Sequence, residues 1–152
     1  MILSPSLLTD HCMIPVAKSP QEYQAYRISP EDTNRLAIVF DPIVAGSSLT
    51  FCVEIFEPGG KTPPNRHNIA VEMFFVLKGE GVATCDGKTV PIRAGDSLLV
   101  PPTGIHEIRN TGQGRLYCLC FMVPNEDFAE LIRSGQPVEL DEEDWRVLRR
   151  DE

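Results

Sequence analysis

From Asn34 to Val123 the chain reads as a succession of short strands cut apart by turn residues, and no other feature restricts its fold as strongly. "RLAIVF" (35–40) and "SLTFCVEIF" (48–56) are rich in branched and aromatic side chains, the types that fit a pleated, half-buried surface. They are bounded by Asp41-Pro42 and by Pro58-Gly59-Gly60. In "AVEMFFVLKG" (70–79) the residues alternate. Glu72, Phe74 and Val76 fall on one side, and Met73, Phe75 and Leu77 on the other. "GVATC" and "KTVPI" flank Asp86-Gly87, a two-residue hairpin signal. "DSLLV", "HEIRN" and "LYCLCFMV" follow, separated by Pro and Gly. About eight or nine short strands at this spacing predict an all-β, antiparallel sandwich or barrel over residues 34–123.

The flanks differ. Residues 1–33 carry Pro5, Pro15, Pro20 and Pro30 and read as an irregular N-terminal arm. Such an arm can pack on the barrel or contact a partner subunit. Residues 124–152 read as a helical tail. Asn125 suits a helix N-cap and Gly135 a stop, with Phe128, Leu131 and Ile132 forming an apolar stripe. Asp141 is a second N-cap; acids fill the first turn after it and arginines the last, matching the helix dipole. Two short helices, the second anchored by Trp145 and Leu148, are expected to cover the outside of the barrel as a structural cap.

Composition excludes several function classes. The formal charge of −8 repels phosphate backbones and anionic lipid, so neither nucleic acid nor a membrane surface is an expected partner. No apolar run approaches a membrane span, and the N-terminal segment lacks the basic start of a signal peptide. The five cysteines form no CxxC pair and read as small core residues in a reducing compartment. The expected location is the cytoplasm. P-loop, GxGxxG, GxSxG and HExxH motifs are absent.

Of the three histidines, His67 and His106 stand in informative contexts, and Glu72 lies five residues after His67. Two imidazoles and a carboxylate make up a facial-triad ligand set that leaves coordination positions open. That set suits Fe, Mn, Ni, Cu or Zn, and the carboxylate moves preference toward Fe(II) or Mn(II). A histidine on a strand is more often structural than a ligand, so spacing alone leaves both readings open. Glu54 shares a face with Thr50, Cys52 and Phe56. It is either a second carboxylate near a pocket or, the favoured reading, a solvated surface charge. Arg66 is expected to point outward, and Phe74 and Val76 to line the cavity beside Glu72.

The punctuation around these residues resembles the cupin superfamily. Its first motif is matched by Gly59, five residues, Asn65, Arg66, His67, four residues, Glu72, six residues and Gly79. Its second motif is matched by Gly95, five residues, Pro101, Pro102, Thr103, two residues, His106, three residues and Asn110. Fifteen residues separate the two. The resemblance implies a jelly-roll-like β-barrel and one divalent metal, with Fe(II) or Mn(II) favoured and Zn or Ni the alternatives. Two positions depart from the pattern. Thr103 replaces a glycine, with Gly104 next, so the turn is expected to shift by one. Asn65 replaces the first histidine. That leaves three outcomes: a site of His67, Glu72 and His106, the same site with Asn65 as a fourth or outer group, or no metal. The resemblance favours a metal-dependent enzyme, dioxygenase-like or lyase/decarboxylase-like, acting on a small polar organic metabolite. The alternative is a non-catalytic small-molecule-binding module, a sensor or accessory subunit. A homodimer is expected because an open sheet edge needs cover.

Overall fold

The computed structural model describes residues 14–151. The first thirteen residues of the expected arm, with His11 and Cys12, lie outside the described residues.

The turn chemistry cuts the described residues into ten strands: β1 (Gln24–Arg27), β2 (Asn34–Phe40), β3 (Thr50–Phe56), β4 (Val71–Lys78), β5 (Glu80–Cys85), β6 (Lys88–Arg93), β7 (Ser97–Val100), β8 (His106–Asn110), β9 (Leu116–Val123) and β10 (Gln136–Val138). Three short helices accompany them: α1 (Pro42–Ala45), α2 (Phe128–Arg133) and α3 (Glu142–Arg149). The strands form a seven-stranded sheet in the order β10-β1-β2-β3-β9-β4-β7 and a three-stranded sheet in the order β6-β5-β8. Every named pairing is antiparallel. The strand pattern predicts an antiparallel sandwich or barrel; the fold is the jelly-roll-like barrel that the resemblance implies. The sheet nevertheless crosses the boundaries expected at 33/34 and 123/124. β1 comes from the N-terminal arm and β10 from the tail, and the two pair with each other. Both are too short to stand out by periodicity, and only their partners stabilise them.

Local residues explain the turns. Asp86 and Gly87 have φ of 47° and 77°, the left-handed pair a two-residue hairpin requires. At Gly81 a Cβ would meet the Arg109 carbonyl oxygen at 2.4 Å, so only glycine lets β5 and β8 approach there. Asn110 is buried, with its amide nitrogen within 3.1 Å of the carbonyls of Phe56, Glu57 and Gly114. It ties the end of β8 to the end of β3.

The core lies between the sheets. Leu36, Ile38, Phe56, Val76, Ile92, Ile108, Leu116 and Cys118 meet there, each nearly or fully buried. The outer face of the large sheet is covered in part by α3. Ala37, Val39, Val53, Ile55 and Tyr117 pack under Leu140, Trp145 and Leu148, as the two anchors predicted. A buried ion network latches that helix. Arg35 donates to both oxygens of Asp144 at 2.7 and 3.1 Å, and the Tyr117 hydroxyl donates to Asp144 Oδ1 at 2.9 Å. Arg35 is 6% exposed and Asp144 fully buried, so each depends on the other for compensation.

Asp144→Ala is therefore expected to cost about 3–5 kcal/mol, the usual loss when one partner of a buried ion pair is removed. A shift of the urea unfolding midpoint to lower concentration at an unchanged m-value measures it. A variant as stable as the parent would show that the latch contributes nothing.

Candidate metal centre

Two strands and one loop bring His67, Glu72 and His106 together. Glu72 sits on the inner face of β4 and His106 opens β8, while His67 lies in the segment between β3 and β4. Glu72 Oε2 is 3.0 Å from His67 Nε2 and 2.8 Å from His106 Nε2. One ligand atom from each of the three lies within 4.8 Å of the others. Glu72 and His106 are buried and His67 is partly open.

Backbone contacts hold the three in place. The Asn65 and His106 amides each donate to the other's carbonyl, at 3.0 and 2.8 Å. The Thr103 amide donates to the His67 carbonyl at 2.7 Å. The Glu126 carboxylate accepts from the amides of Asn68, Ile69 and Ala70 at 2.7–3.1 Å, which secures the loop after His67. The turn at the second motif does not shift to Gly104 as expected. Thr103 itself takes φ of 71°, a left-handed conformation that is strained for a branched residue. Gly104 lies against Cys85 instead: a Cβ there would meet Cys85 Sγ at 2.5 Å, and that side chain would have to turn away.

The donor chemistry fits a cation. His106 Nδ1 lies 3.0 Å from the Gly104 carbonyl. A proton on Nδ1 satisfies that contact and leaves the Nε2 lone pair facing the centre. Ligands about 2.1 Å from a metal and at right angles stand about 3 Å apart, which is the spacing between Glu72 Oε2 and both imidazoles. Without a cation the same contacts call for protons. Burial pushes the Glu72 carboxyl up, but hydrogen bonds and charge from His106 and His67 outweigh it and hold the carboxyl at about 2. Burial lowers His106, but the Glu72 hydrogen bond leaves it raised overall. Behind Glu72, Cys120 Sγ lies 3.2 Å from Oε1, so the thiol holds the carboxylate from its far side.

A cavity of about 200 Å³ opens beside the centre, lined by Glu72, His106, Asn65, Phe74, Leu36 and Phe128 among others. α2 forms part of its wall. The Phe128 ring stands edge-on to His67, with centroids 6.2 Å apart, and Leu131 lies at the rim. A second space of about 350 Å³ runs between the sheets past Cys85, Leu98 and Ile108. It touches only His106 of the three, so the smaller cavity is the one the centre serves.

Of the sequence-predicted residues, Phe74 lines this cavity, whereas Val76 is fully buried in the core and absent from the cavity wall. Asn65 lines the cavity, but its amide nitrogen donates to the Pro63 carbonyl at 3.0 Å. Arg66 is exposed. Glu54 is not the solvated charge favoured from sequence: it is 3% exposed and faces the cavity. β3 is a central strand, covered on one side by the barrel interior and on the other in part by α3, so neither face is left to water. Cys52 and Phe56, two residues either side of Glu54, were the available signal. Burial and then the Glu72 charge push the Glu54 carboxyl up to about 8. Asn34 was not identified as a site residue from sequence. It donates to Glu54 Oε1 at 2.7 Å.

Fold and centre together define a small antiparallel β-barrel with a candidate mononuclear His–Glu–His site. Residues 52–122 match the Cupin domain family. The oxalate-binding protein of Thermotoga maritima is 36% identical over 66 residues, 43% of this chain and 54% of that protein. A crystal structure described as a predicted oxalate decarboxylase, also from Thermotoga maritima, superposes with a TM-score of 0.64 at 28% identity, covering 72% of this chain and 99% of that one. A cupin-2 domain from Rhodospirillum rubrum superposes with a TM-score of 0.61 at 19% identity, covering 92% of this chain and 89% of that one. The domain match and the Thermotoga maritima structure support the cupin superfamily for this chain, and the Rhodospirillum rubrum structure shares its fold. The matched stretch spans between about half and two thirds of the length of the first curated relatives, 51% to 66%.

The raised Glu54 pKa makes a pH prediction. A carboxyl at about 8 when folded and 4.5 otherwise favours folding fully below 4.5, and that contribution is lost as pH rises through 8. The metal-free protein is therefore expected to lose stability, on the order of a few kcal/mol, between about pH 5 and about pH 8. Glu54→Gln keeps an acceptor for Asn34 and flattens that loss. The raised His106 contributes in the same direction in both proteins, so the difference between their urea midpoints at the two pH values reports Glu54 together with the smallest of the causes acting on His106, the Glu54 charge. Parallel pH dependences in the two proteins would refute the assignment.

Proposed function

We propose that this chain is a metal-dependent cupin enzyme. It holds one divalent cation through His67, Glu72 and His106, with Fe(II) or Mn(II) favoured over Zn or Ni, and acts on a small polar organic metabolite. The observation that carries this reading is the 2.8 and 3.0 Å spacing of one carboxylate oxygen from two imidazole nitrogens, with Glu72 and His106 on the wall of a cavity. Two imidazoles and a carboxylate suit a cation with open positions. When bound, the cation would polarise a chelating substrate or activate O₂, chemistry of the dioxygenase-like or lyase/decarboxylase-like kind. The chain's own part is to hold the ligands, keep the His106 tautomer through Gly104, and exclude water with Phe74, Phe128 and Leu131. The cavity falls below the ~300–1,000 Å³ typical of pockets for drug-sized ligands, which supports a substrate of few atoms. The names of a curated protein and of a solved structure, both from Thermotoga maritima, carry oxalate, which agrees with small size alone and not with a particular end group.

One observation favours a second reading, a non-catalytic binding module. Asn65 stands at a ligand position of the family and turns its amide nitrogen to Pro63, so the site offers fewer donors than the pattern allows. Metal analysis separates the two. Protein purified without added metal is expected to carry about one equivalent of Fe or Mn, lost in Glu72→Ala and in His67→Ala. A metal-free protein that carries a co-purified organic ligand supports the binding module.

The cytoplasmic location belongs to the same proposal. Cys52, Cys85, Cys118 and Cys120 are all free thiols among the described residues, as a reducing compartment implies. Among those residues no helix is long and apolar enough to cross a membrane.

A homodimer is proposed as well. β7 is an edge of the large sheet, and Met73, Phe75 and Leu99 are exposed beside it at 38–60%. A second copy covers such a contiguous apolar face. Light scattering is expected to return a two-chain mass at micromolar concentration and a one-chain mass for Phe75→Glu. A parent protein that runs as one chain overturns the dimer.

A further inference from the structure

The far wall of the cavity carries polar groups that neither the fold nor the candidate centre uses. Asn34 is 4% exposed and Glu54 3% exposed, and both line the cavity. Asn34 Nδ2 donates to Glu54 Oε1 at 2.7 Å, which accounts for one atom of each. Asn34 Oδ1 is buried with no partner, and among the described residues Glu54 Oε2 has no hydrogen bond. An unpaired buried acceptor is costly, and the residue that carries it lines the cavity, so a donor on a bound ligand is the partner it lacks. No Lys or Arg lines the cavity, whereas Asp32, Glu54 and Glu72 do. That wall cannot compensate a second buried negative charge.

We propose that Asn34 and Glu54 form a second binding subsite that reads the free end of the ligand as an uncharged hydroxyl. A hydroxyl fits because it acts in both directions at once. Its oxygen accepts from the protonated Glu54 carboxyl, and its hydrogen is donated to Asn34 Oδ1. A methyl group does neither, and leaves the Asn34 oxygen unpaired. A carboxylate can accept but has no hydrogen to donate, and it adds charge beside Glu72. The cavity also has apolar walls, with Ile28, Leu36, Phe74 and Ile108, and Asn34 and Glu54 are themselves buried, where hydrogen bonds discriminate best. Burial, the largest cause that raises the Glu54 carboxyl and one that a cation at Glu72 does not remove, favours the protonated form that supplies its donor.

The inference rests on the proposed metal-dependent function for the other end of the ligand. It narrows the substrate class to monocarboxylates that chelate through a carboxylate and an adjacent hydroxyl or carbonyl, and that end in a hydroxyl. Dicarboxylates fall outside that class.

The test uses the full-length protein loaded with Mn(II). α-Hydroxy acids of about three to six carbons, a size this small cavity allows, are titrated by calorimetry. Each length is offered with a terminal methyl, hydroxyl or carboxylate. At the best length the hydroxyl-ended acid is expected to bind about tenfold or more tighter than the other two, the discrimination of one satisfied buried polar group. Asn34→Leu and Glu54→Leu are each expected to erase the hydroxyl-over-methyl preference while leaving Mn(II) content and affinity for the methyl-ended acid in place. Glu54→Gln, which retains hydrogen-bonding capacity at no added charge, guards against a variant that fails to fold. Carboxylate-ended acids that bind as tightly as hydroxyl-ended ones overturn the subsite, as does a preference that survives in every variant. A parent protein that takes up no Mn(II) yet keeps the hydroxyl preference faults the metal reading and leaves the subsite standing. One that takes up Mn(II) but binds all three ends alike faults the subsite alone.

Discussion

A carboxylate buried in a barrel must be compensated, and the compensation of Glu72 organises the rest of this molecule. Its side chain is 5% exposed, with one oxygen between two imidazoles and the other against a thiol. The imidazoles come from segments on either side of it in sequence, so the loop before β4 and the loop before β8 must meet. The contacts that make them meet are backbone ones: the reciprocal Asn65–His106 pair and the bond from Thr103 to His67. A proton or a cation satisfies the same three groups, which is why the geometry of a ligand set is already present.

The buried polar groups divide by what is left over after pairing. Asp144 is met by Arg35, Tyr117 and Arg115, and Asn110 spends both ends of its amide on chain carbonyls and the Gly112 amide. These groups hold α3 and the strand ends and have little capacity to spare. Asn34 and Glu54 hold each other by a single bond and retain an unpaired acceptor and an unpaired carboxyl oxygen. Such spare capacity is costly in a core and useful on the wall of a cavity, and the cavity is where it lies. Cys120 stands between these cases. Burial and its contact with Cys52 hold its thiol pKa well up, so it serves as a neutral donor to Glu72 rather than a nucleophile.

The strands from Asn34 to Val123 were legible because a pleated surface imposes a period of two, and β4 obeys it residue by residue. Glu72, Phe74 and Val76 are buried, while Met73 and Phe75 are more than a third exposed. The Asp86-Gly87 turn and the caps of α3 were equally local and equally readable. β1 and β10 were not, since strands of four and three residues owe their existence to partners far away in the chain. Glu54 was misjudged for a related reason. A charged residue is exposed by default, and only the covering of β3 on both faces overrides that default.

The sequence by itself determined that this chain folds as an antiparallel barrel, and that two histidines and a glutamate fall at turn-bounded positions able to converge. Those features follow from residue types and spacings a few positions apart. Only the tertiary structure decided that the three side chains share one oxygen-centred cluster, that Thr103 bears the left-handed turn, that Val76 belongs to the core rather than the cavity, and that Asn34 and Glu54 face the same space. Each of these depends on which strand lies beside which and how the sheet curves. That is a property of the summed packing of the whole chain, and no local spacing encodes it.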